Sequence, residues 1–280
     1  MIDKSLLKQF LHDYPFQPAT AVWRASEIAH VLQYPFPEGY GLDLGCGDGR
    51  LTKIILDRVG RREMVGIDID PGETALAERL NLYQTIHIAP ANQIPEPDQT
   101  FDWVFSNSVL EHIPNLDAVL QEVARVLKPG GLFLLTVPGH GFHDCLRGPL
   151  LPWASRQAYL DEVDARFACL RYWSPDDWAA HLQPHDLGIQ RATFYQTAAE
   201  AQRWETIARF TSGILYSLIG RKQQPIEIQR SLGVRKPSAK MPWVLASLLS
   251  QFLALGLESE KSDQNEPVMG GLMLLIQKRR

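Results

Sequence analysis

The chain of 280 residues has only three cysteines, Cys46, Cys145 and Cys169, with no CxxC pair among them. Disulfide frameworks and structural zinc sites need more, in even or paired spacings, so neither is expected, and a reducing, cytoplasmic setting is the simpler one. The start, Met1-Ile-Asp-Lys-Ser-Leu-Leu-Lys, lacks the apolar stretch of a secretory signal. Nor does any run reach the ~18–20 apolar residues of a comfortable transmembrane helix. The nearest, Met241 to Leu257, is seventeen residues without a charge. Excess charge of one sign is missing too: 28 Lys+Arg against 32 Asp+Glu leave −4, which argues against a dedicated nucleic-acid binder. What remains, 45% hydrophobic and 21% charged, is a globular composition. At ~150 residues per domain the length suits one large domain, or one domain with an elaboration.

From about residue 40 short apolar runs alternate with amphipathic stretches. Gly41–Leu44, Met64–Asp68, Gln84–Ile88, Phe101–Phe105 and Leu132–Val137 read as strands, with helices over 50–59, 72–82 and 116–127. The last helix carries apolar residues at 116, 119, 120, 123, 126 and 127, which is helical spacing. Lys128-Pro129-Gly130-Gly131 reads as the break that ends it. Leu132–Val137 shows no alternation, as expected of a strand covered on both faces. Ser174 is placed to cap a helix, and Leu187–Tyr195 and Val268–Gln277 read as two further strands. This β-α-β-α succession predicts an α/β fold built on a mostly parallel sheet with helices on both sides.

The strongest local signal is Gly41-Leu-Asp43-Leu-Gly45-Cys46-Gly47-Asp-Gly49-Arg50. Glycines let the backbone turn sharply and approach a ligand with no Cβ in the way. A dinucleotide fingerprint would need its third glycine where Arg50 stands, and a phosphate-binding P-loop would need Lys-Ser/Thr, which is absent. A strand ending in an acid two positions before G-x-G-x-G resembles motif I of the class I S-adenosylmethionine-dependent methyltransferases. Val65-Gly-Ile-Asp68, Phe101-Asp-Trp-Val104, Asn107-Ser-Val-Leu-Glu111-His112 and Arg125-Val-Leu-Lys-Pro-Gly-Gly131 resemble further signatures of that family's small-molecule branch, in the same order. The resemblance covers residues 40 to 138. It implies a doubly wound, Rossmann-like sheet of seven strands, the last antiparallel. The domains then run as an N-terminal helical cap (1–38), the sheet domain (39–197 with 268–280) and a helical insertion (198–267).

The cofactor so implied, S-adenosylmethionine, has a sulfonium, an amino-acid end, a ribose diol and an adenine. The expected binding residues are Asp43, Gly45, Cys46, Gly47, Asp68, Ile69, Ala91, Asn92 and Asn107. Asp43 would receive the ammonium directly or through water, its alternative being a turn or cap residue. Asp68 would accept the ribose hydroxyls, with Asp70 as the alternative, although Asp70 precedes Pro71 and suits a helix cap. The family usually carries an acidic adenine partner where this chain has Pro90, leaving the Ala91 backbone and Asn92 or Gln93 for that contact. That loss is the one feature favouring a binding or scaffold protein that keeps the fold without turnover.

His112 and His143 are the candidate bases, needed only if the acceptor must lose a proton. His140, His143 and Asp144 offer too few ligands for a metal site, and none is expected. The acceptor expected is a small molecule, apolar or lipophilic in character. Within the insertion, Arg221 to Lys240 carries six positive residues against Glu227, a net of +5 that leaves −9 for the rest. Apolar segments flank it at 210–219 and 242–257. A lid over the acceptor, a peripheral membrane contact through 210–257, and a homodimer surface all fit this pattern. A nucleic-acid partner does not, since the basic stretch has no interleaved aromatics.

Overall fold

Four of the five residues of β1 (Tyr40–Leu44) are buried, so this strand needs neighbours on both edges and both faces. A computed structural model, which describes residues 2–34, 36–213, 240–255, 257 and 269–279, supplies them. β1 pairs in parallel with β2 (Glu63–Asp68) on one edge, Leu44 opposite Ile67, and with β4 (Phe101–Asn107) on the other, Gly41 opposite Trp103. β3 (Thr85–Ile88) pairs with β2, and β5 (Leu127–Pro138) with β4, both in parallel. With β6 (Leu187–Tyr195) and β7 (Gly271–Lys278) the sheet has seven strands in the order β3-β2-β1-β4-β5-β7-β6, the last in sequence antiparallel. The α/β, doubly wound fold expected from the sequence is the fold found.

The chain divides into two compact units. The sheet unit comprises residues 31–140, 170–194 and 272–280. Its core joins Leu42, Leu44, Val65, Ile67, Phe133 and Leu135 from the strands to Leu116, Val119, Leu120, Val123 and Val126 of α5 (Leu116–Val126). α5 buries one stripe, as the spacing predicted, and Asn115 caps its start by accepting from the Ala118 N–H. The Lys-Pro-Gly-Gly segment lies inside β5 rather than ahead of it. Register jumps there, Phe101 opposite Leu127 and Trp103 opposite Leu132, so the strand makes a bulge and continues. α4 (Pro71–Glu78) stops short of the expected Leu82, in a turn that puts Asn81 in the left-handed region. α3 (Arg50–Val59) and α8 (Pro175–Leu182) fall where the sequence placed them, α8 behind a reciprocal Ser174–Asp177 capping box.

The helical unit comprises residues 1–30, 141–169 and 195–271, and so takes in a stretch, 141–169, that the strand pattern left inside the sheet domain. It holds α1 (Lys4–Asp13), most of α2 (Pro18–Val31), α6 (Phe142–Cys145), α7 (Arg156–Phe167), α9 (Ala198–Ala208) and α10 (Trp243–Ala254). Trp23, Phe142 and Trp204 meet edge to face, with centroids 5.5–5.6 Å apart. The buried Glu205 carboxylate accepts from the Arg147 and Gly148 N–H groups and from the Tyr159 hydroxyl, and pairs with Arg209. Multiple donors of this kind are what make a buried carboxylate tolerable. The basic segment up to Ala239 and the polar stretch 258–267 lie outside the described residues. No described helix is long and apolar enough to cross a membrane.

Gly41 is required by its neighbour across the sheet. A Cβ there would lie 2.1 Å from the indole of Trp103, itself fully buried and held edge-on by Phe36. Gly41→Ala is expected to cost about 1–3 kcal/mol through overpacking. Urea denaturation of the purified variant measures it.

Candidate functional site: the carboxyl ends of the first strands

The turn after β1 is pinned to the end of β2: the Gly45 and Cys46 N–H groups both donate to the Ile67 carbonyl, at 2.8 and 3.0 Å. Gly45 and Gly47 adopt positive φ, +80° and +52°. A side chain at position 45 would strike Val109, 2.4 Å away, whereas the ideal Cβ of residue 47 would meet nothing within 4 Å. The backbone at Gly47 therefore borders open space. Beside it stands Asp68, whose Oδ2 accepts from the Gly47 N–H and whose Oδ1 accepts from the Asp70 N–H, both at 2.9 Å. Two backbone donors fix the carboxylate, and each oxygen retains a lone pair for a hydroxyl. Ile69 follows, an apolar side chain 70% exposed. Asp70 caps α4, accepting from the Gly72 and Glu73 N–H groups.

Asp43 is neither cap nor turn. It lies within β1, 2% exposed, and its Oδ2 accepts from Thr52 Oγ1 at 2.5 Å and Tyr83 Oη at 2.6 Å. Burial pushes its carboxyl up to about 6 against these two hydrogen bonds, and the nearby Asp68 adds to the rise. Asp68 is raised as well, chiefly by burial, while its two backbone donors pull the other way. Burial together with both acids pushes the Cys46 thiol up, so that side chain is no nucleophile. Two carboxylates with raised pKa values, near one another and next to an open glycine, suit a ligand bearing a cation and a diol. Asp43 and Asp68, with the open backbone at Gly47, thus fit the amino-acid and ribose parts of S-adenosylmethionine.

The loop after β3 is held from below. Arg125 of α5 donates to the Ile94 and Glu96 carbonyls, pairs with Asp98, and grips Glu122, which in turn accepts from the Ile94 N–H. That pairing holds the Glu122 carboxyl below its ordinary value. Pro90 closes a turn by accepting from the Gln93 N–H, with Ala91 and Asn92 half-buried within it. Asn107 ends β4 and donates to Thr136 Oγ1 of β5 at 2.5 Å.

The two histidines fall in different units. His112 ends a short 3₁₀ turn, Leu110–His112, in the sheet unit, its exposed imidazole 3.7 Å from Glu111 Oε1. His143, in α6 of the helical unit, places Nε2 2.9 Å from Asp164 Oδ1 of α7. Donation of Nε2–H to that carboxylate makes Nδ1 the basic nitrogen. Among the described residues no group of three His, Cys, Asp or Glu could hold a metal ion. Thr52, Tyr83, Arg125 as a clamp and Asp164 were not singled out as site residues from sequence. The same holds for Gln196, a buried side chain with φ +68° whose amide nitrogen and oxygen find no partner among the described residues.

The raised Asp43 carboxyl carries a pH signature. A folded-state value of about 6 against an ordinary 3.8 means that the folded protein holds this proton more tightly than the unfolded chain. Stability contributed here therefore falls as pH rises from about 4 through 6, by as much as ~3 kcal/mol. Asp43→Asn removes the ionisation and keeps an acceptor for Thr52 and Tyr83. Its melting temperature relative to wild type, without ligand, should climb between pH 4 and 7 and then level off.

Residues 42–135 match the family model described as a methyltransferase domain. The chain is 27% identical to tocopherol O-methyltransferase of Arabidopsis thaliana over 203 residues, 67% of this chain and 58% of that one. It is 30% identical to trans-aconitate 2-methyltransferase of Azoarcus sp. over 163 residues, 57% of this chain and 62% of that one. It thus spans less than two thirds of either relative. In fold it is similar to the Haemonchus contortus phosphoethanolamine N-methyltransferase 2 solved in complex with S-adenosyl-L-methionine. The TM-score is 0.53 at 18% identity, covering 98% of this chain and 60% of that one. Five signatures in register, a seven-stranded sheet of this order and a family match across its first five strands agree: residues 42–135 are similar to the methyltransferase domain of the class I S-adenosylmethionine-dependent family.

Proposed function

We propose that the protein is a S-adenosylmethionine-dependent methyltransferase acting on a small, apolar acceptor in the cytoplasm. The observation that carries this reading is the pair of acids at the ends of β1 and β2, Asp43 and Asp68, beside the open backbone of Gly47. The cofactor, when bound, supplies a methyl group activated by the positive sulfonium. Asp43 receives the ammonium of the amino-acid end, an ionic contact that offsets the cost of its own burial. Asp68 accepts from the ribose hydroxyls, with Ile69 offering an apolar surface beside it. Ala91 and Asn92 meet the adenine from the loop clamped by Arg125, and the turn at Gly45 and Cys46 and the side chain of Asn107 complete the wall. Direct displacement at carbon needs alignment and exclusion of water more than acid–base help.

A base enters only when the acceptor must shed a proton. His143, oriented by Asp164, is built for that task, and His112, exposed beside Glu111, is the second candidate. The named methyltransferase relatives support an acceptor of small size; tocopherol and aconitate, which their names carry, differ widely in polarity.

Calorimetric titration with S-adenosylhomocysteine is the first test. Binding is expected in the wild type, weakened at least tenfold by Asp68→Ala and unchanged by Asp70→Ala. The second variant should lose only the cap's stability, about 1 kcal/mol. No binding to folded protein at millimolar ligand would sink the proposal. The second test incubates the enzyme with isotopically labelled cofactor and a metabolite extract. A product heavier by one labelled methyl is expected; binding without any product across acceptor panels would favour a non-catalytic role. With an acceptor in hand, His143→Gln should lower kcat by about 10²-fold or more, leaving cofactor affinity intact. If only His112→Gln does so, the base is reassigned.

A further inference from the structure

α10 is turned inside out. Its inward side is made of Ala246, Ser250, Leu253 and Ala254, small residues but for one, and α10 packs against α1. Its outward side presents Val244, Leu245, Leu248, Phe252 and Leu255, between 55% and 71% exposed, with Trp243 at the helix start 46% exposed. Ordinary amphipathic helices do the opposite, burying bulky apolar residues and showing water a polar face. Five bulky exposed side chains on one helix form a contiguous apolar surface of the kind that marks an interaction site.

Basic side chains gather at the start of this helix. Lys8 Nζ lies 5.2 Å from the Trp243 ring centroid, His12 stacks on the same ring at 4.0 Å, and Lys240 stands beside Asp13, 55% exposed. The sequence leading into the helix, from Arg221 to Lys240, has a net charge of +5. We propose that the outward face of α10 docks on a membrane surface containing anionic lipid. The helix of 12 residues is about 18 Å long, too short to cross a hydrocarbon core of about 30 Å, so it lies in the interface. Val244, Leu248 and Phe252 enter the acyl boundary, Trp243 sits at headgroup level, and the lysines meet the lipid phosphates. A second copy of this chain is the poorer occupant, because it would bring the same basic segment with it. This inference does not depend on the enzymatic reading.

Flotation with vesicles of phosphatidylcholine, with and without phosphatidylserine, tests it on the full chain. The wild type should float with the anionic vesicles only, less at high salt, and Trp emission should shift to the blue. In the double variant Leu248→Glu/Phe252→Glu the bound fraction should fall by about tenfold or more. Its melting temperature and its titration with S-adenosylhomocysteine should match the wild type. Failure of the wild type to float, equal recovery with both vesicle types, or a variant that floats as well as the wild type would overturn the proposal. So would a dimer in solution that the double variant dissociates without any vesicle binding.

Discussion

The site rests on one buried carboxylate. Asp43 sits inside a strand, where an ionised group is expensive, and stays there because Thr52 and Tyr83 both donate to it. Through those two hydrogen bonds a single side chain joins β1 to the first turn of α3 and to the residues ahead of β3. The glycine turn lies between the joined pieces. Its hydrogen bonds to Ile67 and Asp68 then have a fixed base to work from, and the backbone of Gly47 stays open rather than collapsing onto its neighbours.

Second in importance is Arg125, which the sequence offered only as the first letter of a family signature. Its guanidinium binds two carbonyls and two carboxylates around the loop that follows β3. A planar, forked donor can satisfy such a set at once; a lysine could not. Lys128 and Asp102 perform a smaller version of the same task at the other end of the bulge in β5, and Asp102 also receives the Tyr40 N–H that starts β1. The signature residues are therefore partly open backbone at the glycine turn and partly braces that hold the neighbouring loops in place.

What could be read from sequence was what local chain chemistry decides. β6 and the helix over 50–59 follow from apolar period and turn residues, and the positions of the acids at 43 and 68 near strand ends follow from the glycines and apolar runs around them. Partners distant in sequence left no such trace. Tyr83 reaches Asp43 across 40 residues, and Asp164 meets His143 across 21. Lys-Pro-Gly-Gly looked like a stop because proline and glycine end helices. In the structure Gly131 takes the chain past the Lys128 and Asp102 carbonyls, 2.9 and 3.1 Å from where a Cβ would be, and the strand resumes. For α10 the pattern was silent on orientation: with no charge on either side, residue spacing alone cannot say which face turns inward.

The order of the segments also bears on how the protein is made. Residues 31–140 come off the ribosome as one nearly complete sheet nucleus, with five of the seven strands already in hand. The helical unit has no such stretch, because its three pieces are spread from the first residue to Gly271. α1 is made well before its partner: the Met241 N–H that bonds to His12 is 229 positions further along the chain. Until α10 is synthesised, Leu6, Leu7, Phe10 and Leu11 of α1 lack the helix they pack beside in the finished protein. Contacts of such separation form late and leave apolar surface uncovered in the meantime. The apolar stripe of α1 thus waits for a partner helix more than two hundred residues downstream, and the arrival of α10 is what covers it.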